Sequence, residues 1–501
     1  GQCEGSIVDC TNRGTVDQAS DPRTVNAGGI CGFVRNAAES LSGNANEGEV
    51  RIGGAVTLAT VGGVYGSFGK AQTVADAATT NRGGVTVSGI ESIEGAYLRL
   101  GGIVGFAYPG TALSNLTNAG DMTVDLQSKF SYYAVGGIAG SVECGASSCV
   151  NEGSLRLNNN QLLTKGMCKI FVGGIVGINY RPTDDGPHIY EDCANRAEIG
   201  FATTDNAFKV LPSFTGGILG YTEHPVEVRN CEGAAYINVN NANAKENGIF
   251  TATGGIVGAV KGTAALIEKC HVTADMRHYQ YNNTWDDPLS AANGGGIMGC
   301  ALGADEANRI AITGCSCSGM VESKRSGAAG IVGYARFSDI SDCGFTGGIE
   351  GSGPHFAGGI AGTLANSTIA GCTVKAKNIY GHNASSPSLI GVSGIAAYVV
   401  GVSSVSDCKA YATLIRNSTV LGTEDASVTP DNLFGMGMIV GIDAGTTTVT
   451  NCGVGGSFYL GASEKPQELI LTLDADSYAK GIIGSGKTAT VGGCYYWNGE
   501  K

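Results

Sequence analysis

Charge, proline and long apolar runs are all scarce in this chain. Asp, Glu, Lys and Arg make up 15% of its 501 residues, the formal net charge is −13, and 11 residues are proline. A chain with net negative charge lacks the basic surface that nucleic acids and anionic membranes attract, so we expect neither partner. Because no run of 18 apolar residues occurs, we expect no transmembrane segment. The opening residues, GQCEGSIVDC, have no basic and apolar leader, and we expect any signal or lipid anchor to lie outside this sequence.

Glycine and cysteine, in contrast, are abundant. The chain has 81 glycines and 17 cysteines, and 43% of its residues are hydrophobic. Glycine at about twice the usual share of ~7% favours many tight turns or close backbone contacts. Since the hydrophobic content is high and no Gly-X-Y period is present, the composition indicates a folded, β-rich protein rather than a disordered or collagenous one.

A glycine-rich pentapeptide repeats along the whole chain. Thirteen segments are variants of GGIVG, at a mean spacing of roughly 38 residues. Their aliphatic anchors are Ile30, Val64, Ile103, Ile138, Ile175, Ile218, Ile256, Ile297, Ile331, Ile360, Ile395, Ile439 and Ile482. This spacing is typical of a repeat array and replaces the two to four domains that length alone predicts.

A second column of residues follows each anchor. Segments such as SSCVNEGSL and YEDCANRAEI alternate in period two, which predicts a strand. The column contains Cys10, Cys149, Cys193, Cys231, Cys270, Cys315, Cys343, Cys372, Cys408, Cys452 and Cys494. The residue before the cysteine is often Asp, Asn or Gly, so we expect the chain to bend there.

Each repeat therefore offers three short strands, joined by bends and one longer arc, with no helical period. Stacked ~4.8 Å from the equivalent strands of the next repeat, these strands form a single-stranded parallel β-helix. We predict an all-β solenoid of about 13 coils over residues 1–501, with more irregular coils over residues 420–501. The pattern does not determine the hand, and we expect the right-handed form.

The succession of GGIVG and C-x-N-x-G-x-[IV] resembles the GLUG-motif repeats of bacterial surface proteins, over nearly the whole chain. That family includes adhesin-like proteins and some immunoglobulin-A peptidases, often from gut Bacteroidetes. The resemblance implies a secreted or cell-surface β-solenoid, and it brings no catalytic residues that could be carried over. The last repeats depart from the motif, because Met438 and Lys480 replace glycines.

The segment GIIGSGKT, from Gly481 to Thr488, matches the phosphate-loop pattern G-x-x-x-x-G-K-[ST]. A phosphate loop needs a helix directly after it, so that backbone N–H groups and the helix N-terminus converge on the phosphates. Here Gly481 and Gly484 belong to the thirteenth repeat, and the residues after Lys487 predict a strand. We interpret the match as coincidence and expect no nucleotide.

The two aligned columns are interpreted as buried ladders. Neighbouring cysteines lie one strand spacing apart, ~4.8 Å, whereas a disulfide needs Cβ atoms ~3.8 Å apart, so we expect reduced, buried thiols. Local pairing of Cys144 with Cys149 or of Cys3 with Cys10 stays open. Inward amides need partners, so a ladder of amide hydrogen bonds is predicted from Asn12, Asn46, Asn81, Asn118, Asn151 and Asn195.

No cofactor is expected, and calcium remains the alternative. RPTDDGPH contains Asp184, Asp185 and His188, and TWDDP contains Asp286 and Asp287. Such carboxylates in loops can hold Ca²⁺, although turn formation is the commoner reason for them. The six histidines include no H-x-x-x-H pair and no companion serine motif, which argues against a zinc hydrolase or a serine hydrolase.

The arcs between the cysteine strands and the next anchors vary most in length, and in solenoids such an edge is the usual binding face. The arc RHYQYNNTWDDP supplies the candidate ligand-binding residues Tyr279, Tyr281, Trp285, Asp286 and Asp287. Aromatic faces favour sugars, and carboxylates can bond hydroxyls. Other arcs add Phe208, Phe214 and Phe250. The same rings would also serve to pin a long arc to the body.

These features together predict a non-enzymatic, adhesin-like protein that binds a host or dietary glycan, or a surface protein, through its arcs. The first alternative is a polysaccharide lyase or glycoside hydrolase, which needs a basic residue or paired carboxylates gathered on one face of neighbouring coils. The second is a structural stalk that spaces another domain from the surface, at ~4.8 Å per coil.

Overall fold

The computed structural model describes residues 1–18, 24–36, 40–74, 79–126, 130–159, 169–179, 186–203, 213–241, 251–280, 292–324, 327–350, 355–383, 390–418, 435–461, 468–486 and 489–500. The chain divides into two compact units, Gly1–Thr251 with Gly255–Val260 and Ala252–Gly254 with Lys261–Lys501. Each unit is built from parallel strands stacked coil on coil, which confirms the all-β parallel β-helix. The hand and the single domain over residues 1–501 stay predictions.

Three sheets run along the first unit. The anchor sheet, formed after each glycine pair, contains Gln2–Cys3, Cys31–Val34, Tyr65–Phe68, Val104–Ala107, Ala139–Val142, Val176–Asn179, Leu219–Thr222 and Val257–Lys261. The middle sheet contains Ile7–Val8, Leu41–Ser42, Thr73–Val74, Ala112–Ser114, Ala146–Ser147, His188–Glu191 and Val226–Arg229. The ladder sheet contains Thr11–Asn12, Val16–Gln18, Thr24–Gly28, Ala45–Asn46, Val50–Gly62, Thr79–Asn81, Val85–Gly101, Leu116–Asn118, Met122–Asp125, Phe130–Gly136, Val150–Asn151, Leu155–Asn159, Lys169–Gly173, Ala194–Asn195, Ile199–Thr203, Ser213–Gly216, Glu232–Gly233 and Ile237–Asn241.

The second unit repeats the same three kinds of sheet. Its anchor sheet contains Met298–Leu302, Val332–Arg336, Ala361–Ala365, Ala396–Val400, Val440–Asp443 and Ile483–Ser485. Its middle sheet contains Ala265–Glu268, Ile310–Thr313, Ser338–Ser341, Thr368–Ala370, Val402–Ser406, Thr446–Thr450 and Thr490–Gly492. Its ladder sheet contains Thr251–Gly254, His271–Val272, Met276–Gln280, Ala292–Gly295, Ser316–Cys317, Val321–Lys324, Gly327–Ala329, Gly344–Phe345, Ile349–Glu350, Phe356–Gly358, Thr373–Asn383, Gly391–Ser393, Lys409–Ser418, Met436–Gly437, Gly453–Gly461, Glu468–Leu473 and Tyr495–Tyr496.

The bend predicted before the cysteine column is confirmed. The residue at this place adopts a left-handed conformation, with φ from +51° to +67°, at Asp9, Gly43, Asn115, Ser148, Asp192, Asn230, Lys269, Gly314, Asp342, Gly371, Asp407, Asn451 and Gly493. Asn, Asp and Gly tolerate this conformation best, which explains their frequency at this position. The bend turns the chain from the middle sheet into the ladder sheet.

The predicted asparagine ladder is present in the first unit. Each Nδ2 group donates to the Oδ1 atom of the asparagine in the next coil, over 2.8–2.9 Å, from Asn12 through to Asn195. The second N–H bond of the same amides goes to a backbone carbonyl two residues further on, such as Gly120 O for Asn118. All of these side chains except Asn12 are fully buried, so the ladder satisfies amides that would otherwise be costly to bury.

The asparagine ladder also explains one of the repeat glycines. A Cβ atom on Gly63, the second glycine of its pair, would collide with the Asn81 side chain of the same coil and with Gly102 O of the next coil. Gly102 stands in the same relation to Asn118, and Gly137 to Asn151. Two opposite corners of the coil are therefore in contact, and the glycine leaves the space that the amide fills.

The cysteine column lies at the bend and is mostly buried. Its members from Cys149 to Cys452 are buried, whereas Cys10 is exposed and Cys494 is half-buried. Their Sγ atoms face backbone carbonyls, as where Cys315 donates to Thr313 O and to Ile267 O of the preceding coil, both at 3.5 Å. The described cysteines form no disulfide, and the two local pairs left open by the sequence are not bonded.

The last described coil departs from the regular pattern. Glu468–Leu473 pairs antiparallel with Gly453–Gly461, and a 3-10 helix covers Tyr478–Gly481. Trp497 is 7% exposed and lies over Gly453 and Gly455, with its ring 6.4 Å from that of Tyr411. The Cβ atom and backbone carbonyl of Trp497 therefore lie against Gly453 and Gly455, where a side chain on either glycine would collide with them.

Candidate functional site

Of the five predicted ligand-binding residues, the structure describes Tyr279. Its hydroxyl donates to the Glu322 carboxylate, which also accepts a 2.7 Å bond from Arg277 Nε. The Arg277 guanidinium lies 5.1 Å from the centre of the Tyr279 ring. These contacts tie Met276–Gln280 to the strand of the next coil, as the pinning interpretation requires. Tyr281, Trp285, Asp286 and Asp287 lie outside the described residues.

The other aromatic candidates are divided in the same way. Phe208 and Phe250 lie outside the described residues, and Phe214 is described and buried. The Phe214 ring stacks on Phe171 at 5.6 Å and contacts Tyr221 at 4.6 Å between ring centres. Phe214 therefore belongs to a larger group of rings that the sequence reasoning missed.

This group, which we call the aromatic row, consists of Tyr97, Tyr132, Phe171, Phe214 and Tyr221 in the first unit. The ring centres of Tyr97 and Tyr132 are 4.8 Å apart, and those of Tyr132 and Phe171 are 6.2 Å apart. Four of the five residues lie in the strands through which the arcs return to the glycine pairs, either two or four places before the first glycine. That even spacing was the available sequence signal, because it puts the side chains on one face of a strand.

The two ends of the aromatic row differ in exposure. Phe171, Phe214 and Tyr221 are buried, whereas Tyr97 is 41% exposed and Tyr132 is half-buried. The row therefore offers solvent a ring face at the Tyr97 end and anchors it on buried rings at the other end.

A cation lies at the exposed end of the row. Arg99 follows Tyr97 by two residues on the same strand face, and its Nε atom donates to the Tyr132 hydroxyl at 2.9 Å. The guanidinium carbon lies 4.5 Å from the centre of the Phe106 ring, within the range of a cation–π contact. Tyr97, Arg99, Phe106 and Tyr132 are together called the Arg99 cluster. The cluster combines aromatic faces with a positive charge, which suits polar ligands that have an apolar face.

A groove lies elsewhere in the first unit. It has a volume of about 450 Å³ and is lined in part by Thr111, Glu143, Cys144, His188 and Glu191. Burial, aided by the Glu143 carboxylate, raises the pKa of the Cys144 thiol to about 12. A thiol protonated at neutral pH is a poor nucleophile, so the groove offers no activated cysteine.

His188, which lines this groove, contacts a second buried histidine, His224. The ring centres of His188 and His224 are 4.0 Å apart. His188 Nδ1 contacts the Asn179 amide at 2.9 Å, and His224 Nε2 donates to Gly186 O at 2.9 Å. Both rings are buried, and these bonds hold them in place as part of the packing.

Metal-ligating groups do not converge in the part of the chain that the structure describes. Within it, no group of three or more His, Cys, Asp or Glu side chains is arranged to hold a metal ion. Asp184, Asp185, Asp286 and Asp287 lie outside the described residues, so the calcium alternative stays a prediction for those loops.

The phosphate-loop match begins at Gly481, the last residue of the 3-10 helix Tyr478–Gly481, and includes the strand Ile483–Ser485. Ile483–Ser485 pairs in parallel with Val440–Asp443, and the next described element is the strand Thr490–Gly492. Lys487 and Thr488 lie outside the described residues. The strand within the match is a strand of the repeat, and the absence of a nucleotide stays a prediction.

Comparison with known proteins identifies no relative. The chain matches no protein-family model, no curated protein and no solved structure. Within the described residues, none of the helices has the length and apolar character needed to cross a membrane. The case for a function therefore rests on the geometry of the described residues.

Proposed function

We propose that this protein is a non-enzymatic β-helical binding protein, secreted or attached to the cell surface, that binds a glycan at the roots of its arcs. The observation that carries this proposal is the aromatic row, which ends in the exposed ring of Tyr97. Pyranose rings have apolar C–H faces, which pack on flat aromatic surfaces, and hydroxyl edges, which bond to polar groups. The aromatic row provides a surface for the C–H face of the sugar. Arg99 and the tyrosine hydroxyls provide polar groups for its hydroxyl edge.

The β-helix suits this role because its strands hold successive rings in fixed register. Tyr97 pairs with Tyr132 across neighbouring coils, and Phe171 pairs with Phe214. Ordering these side chains requires little further entropy loss on binding, since strands and buried rings already hold them. A ligand would contact the exposed Tyr97 ring and the half-buried Tyr132 ring of the next coil, whose centres are 4.8 Å apart.

The proposed surface location rests on the resemblance of the repeats to the GLUG motif. A net charge of −13 gives no electrostatic support to nucleic acid binding. Protease shaving of intact cells, followed by detection of the protein, tests whether it is exposed at the surface.

The enzymatic alternative lacks a comparable observation. In a groove of about 310 Å³ in the second unit, the two carboxylates of Glu306 and Asp339 lie near one another, as an acid–base pair would. Both are paired with Arg309, at 2.6 and 2.7 Å. The hydrogen bond from Arg309 lowers the pKa of the Asp339 carboxyl, so Asp339 is not suited to donate a proton at neutral pH.

A glycan array probed with the parent protein and with Tyr97→Ala tests the proposal. We expect the parent to bind at least one class of oligosaccharide and the variant to lose most of that affinity, with little change in melting temperature. Tyr495→Ala is the matched control, because Tyr495 is also 41% exposed and lies outside the aromatic row. A parent that binds no glycan, or a Tyr97→Ala variant that binds like the control, would contradict the proposal and favour a protein ligand or a stalk.

A further inference from the structure

The geometry points to the Arg99 cluster as a subsite for the carboxylate of an acidic sugar. This inference rests on the proposed glycan-binding function and deepens it, because it assigns the chemical class of the ligand. In this arrangement the sugar ring packs on Tyr97, and its carboxylate receives hydrogen bonds from the terminal nitrogens of Arg99.

The guanidinium of Arg99 is held in place on two sides. Its Nε atom donates a 2.9 Å hydrogen bond to the Tyr132 hydroxyl. Its guanidinium carbon lies 4.5 Å from the centre of the Phe106 ring. Within the described residues, the two terminal nitrogens of Arg99 form no hydrogen bond or ion pair, and the residue is half-buried. A guanidinium offers its donors in a planar fork that matches both oxygens of a carboxylate.

Arg99 differs in this respect from most of the described arginines of the first unit. Six of them lie within ion-pair distance of carboxylates, in the pairs Arg13–Glu47, Arg35–Glu4, Arg51–Glu49, Arg82–Glu47, Arg196–Glu152 and Arg229–Glu227, whereas the exposed Arg156 is in no such pair within the described part of the chain and has no aromatic contact of this kind there. Among the described residues, Arg99 contacts a phenol and a phenyl ring instead of a carboxylate. In an acidic protein, an arginine held by aromatic groups is an available partner for an external carboxylate.

A second positive charge lies close to the cluster. Lys169 pairs with Tyr132 in the register of the next coil and is exposed. The Arg99 guanidinium gives the Tyr97 end of the aromatic row a positive charge on a chain with a net charge of −13. A small anion without an apolar face would contact the positive charge but not pack on the Tyr97 ring. A sugar with a carboxylate would make both contacts.

Isothermal titration calorimetry with two pairs of oligosaccharides tests the inference. The first pair is an oligogalacturonide and its carboxyl-reduced neutral form, and the second is sialyllactose and lactose. We expect the parent protein to bind the acidic member of one pair about tenfold to a hundredfold more tightly than the neutral member, the range of charged hydrogen bonds. The pair that shows the preference identifies uronic acid or sialic acid as the source of the carboxylate.

The variant Arg99→Gln should abolish this preference while neutral sugars bind as before. Arg99→Lys keeps the charge but lacks the planar fork, so we expect it to retain part of the preference. Arg156→Gln is the matched control, because Arg156 is exposed in the same unit outside the cluster. Far-UV circular dichroism and melting curves check that each variant folds, and the reduced ligands test the carboxylate without any variant.

Three outcomes would overturn the inference. Equal affinity for acidic and neutral members, unchanged in Arg99→Gln, would refute the carboxylate subsite while glycan binding stands. The same holds if none of the four sugars binds but other, neutral glycans bind on the array. If no glycan binds at all, the proposed function itself is wrong, and the subsite with it.

Discussion

His278 provides a test of how the core of the second unit responds to acid. The ring is fully buried in Met276–Gln280, and Nδ1 lies 2.8 Å from Thr253 Oγ1. Nε2 has no hydrogen-bond partner among the described residues. Burial without a neighbouring charge disfavours the imidazolium and lowers the pKa of His278 to about 4, from 6.5.

The lowered pKa determines the sign of the pH dependence. At pH above 6.5 the ring is neutral in both the folded and the unfolded state, so stability is unaffected. As the pH falls from 6.5 towards 4, the unfolded state gains a proton that the folded state does not, and stability is lost. Between pH 7.5 and pH 4.5 this loss amounts to about 2.5 kcal/mol for a difference of this size.

Hydrogen exchange of the segment Met276–Gln280, followed by mass spectrometry at the two pH values, measures this loss locally. A local measurement is needed because long repeat arrays do not always unfold in one step. In His278→Gln, which keeps a polar partner for Thr253, we expect the opening free energy to lose its acid-dependent part. His271→Gln, at an exposed position, is the control. Equal acid sensitivity in His278→Gln and the parent would refute the reasoning.

Three further predictions concern the ladders. Asn118→Ala removes a buried amide that forms hydrogen bonds to both neighbouring coils. We expect the free energy of unfolding, measured in urea, to fall by about 2–4 kcal/mol. Asn12→Ala, at the half-exposed first position of the ladder, should cause a smaller loss. Equal losses would show that the ladder adds nothing. Gly63→Ala should lower the free energy of unfolding by more than about 2 kcal/mol, because the new Cβ atom would collide with backbone and amide atoms. Gly84→Ala is the control and should be tolerated, because the nearest atom to a Cβ there is 3.7 Å away. Equal melting temperatures of the two variants would refute the packing account. A thiol-reactive dye should label Cys10 readily in the native protein and all 17 cysteines after denaturation, and rapid labelling of many thiols in the native state would contradict a buried column.

The sequence by itself determined the repeat, the strand columns and the two ladders. It could do so because each coil places the same residue type in the same environment, so that Cys, Asn and the glycine pairs recur at matched positions. The left-handed bend was also predictable, since Asp, Asn and Gly before the cysteine are the residues that tolerate positive φ. Even the phosphate-loop match was explained by the period in which Gly481 and Gly484 occur.

The aromatic row and the Arg99 cluster were decided by the tertiary structure. Tyr97, Tyr132 and Phe171 come from arcs of different lengths, so their spacing along the chain follows no period. Their rings meet because the strands that end each arc are held in parallel register one strand spacing apart. The fit of Gly63 against the Asn81 amide likewise depends on the contact between two corners of one coil, which no local pattern records. The environment of a side chain that recurs in every coil can be predicted from the repeat. The environment of a side chain that occurs in only a few coils depends on the register of the stacked strands.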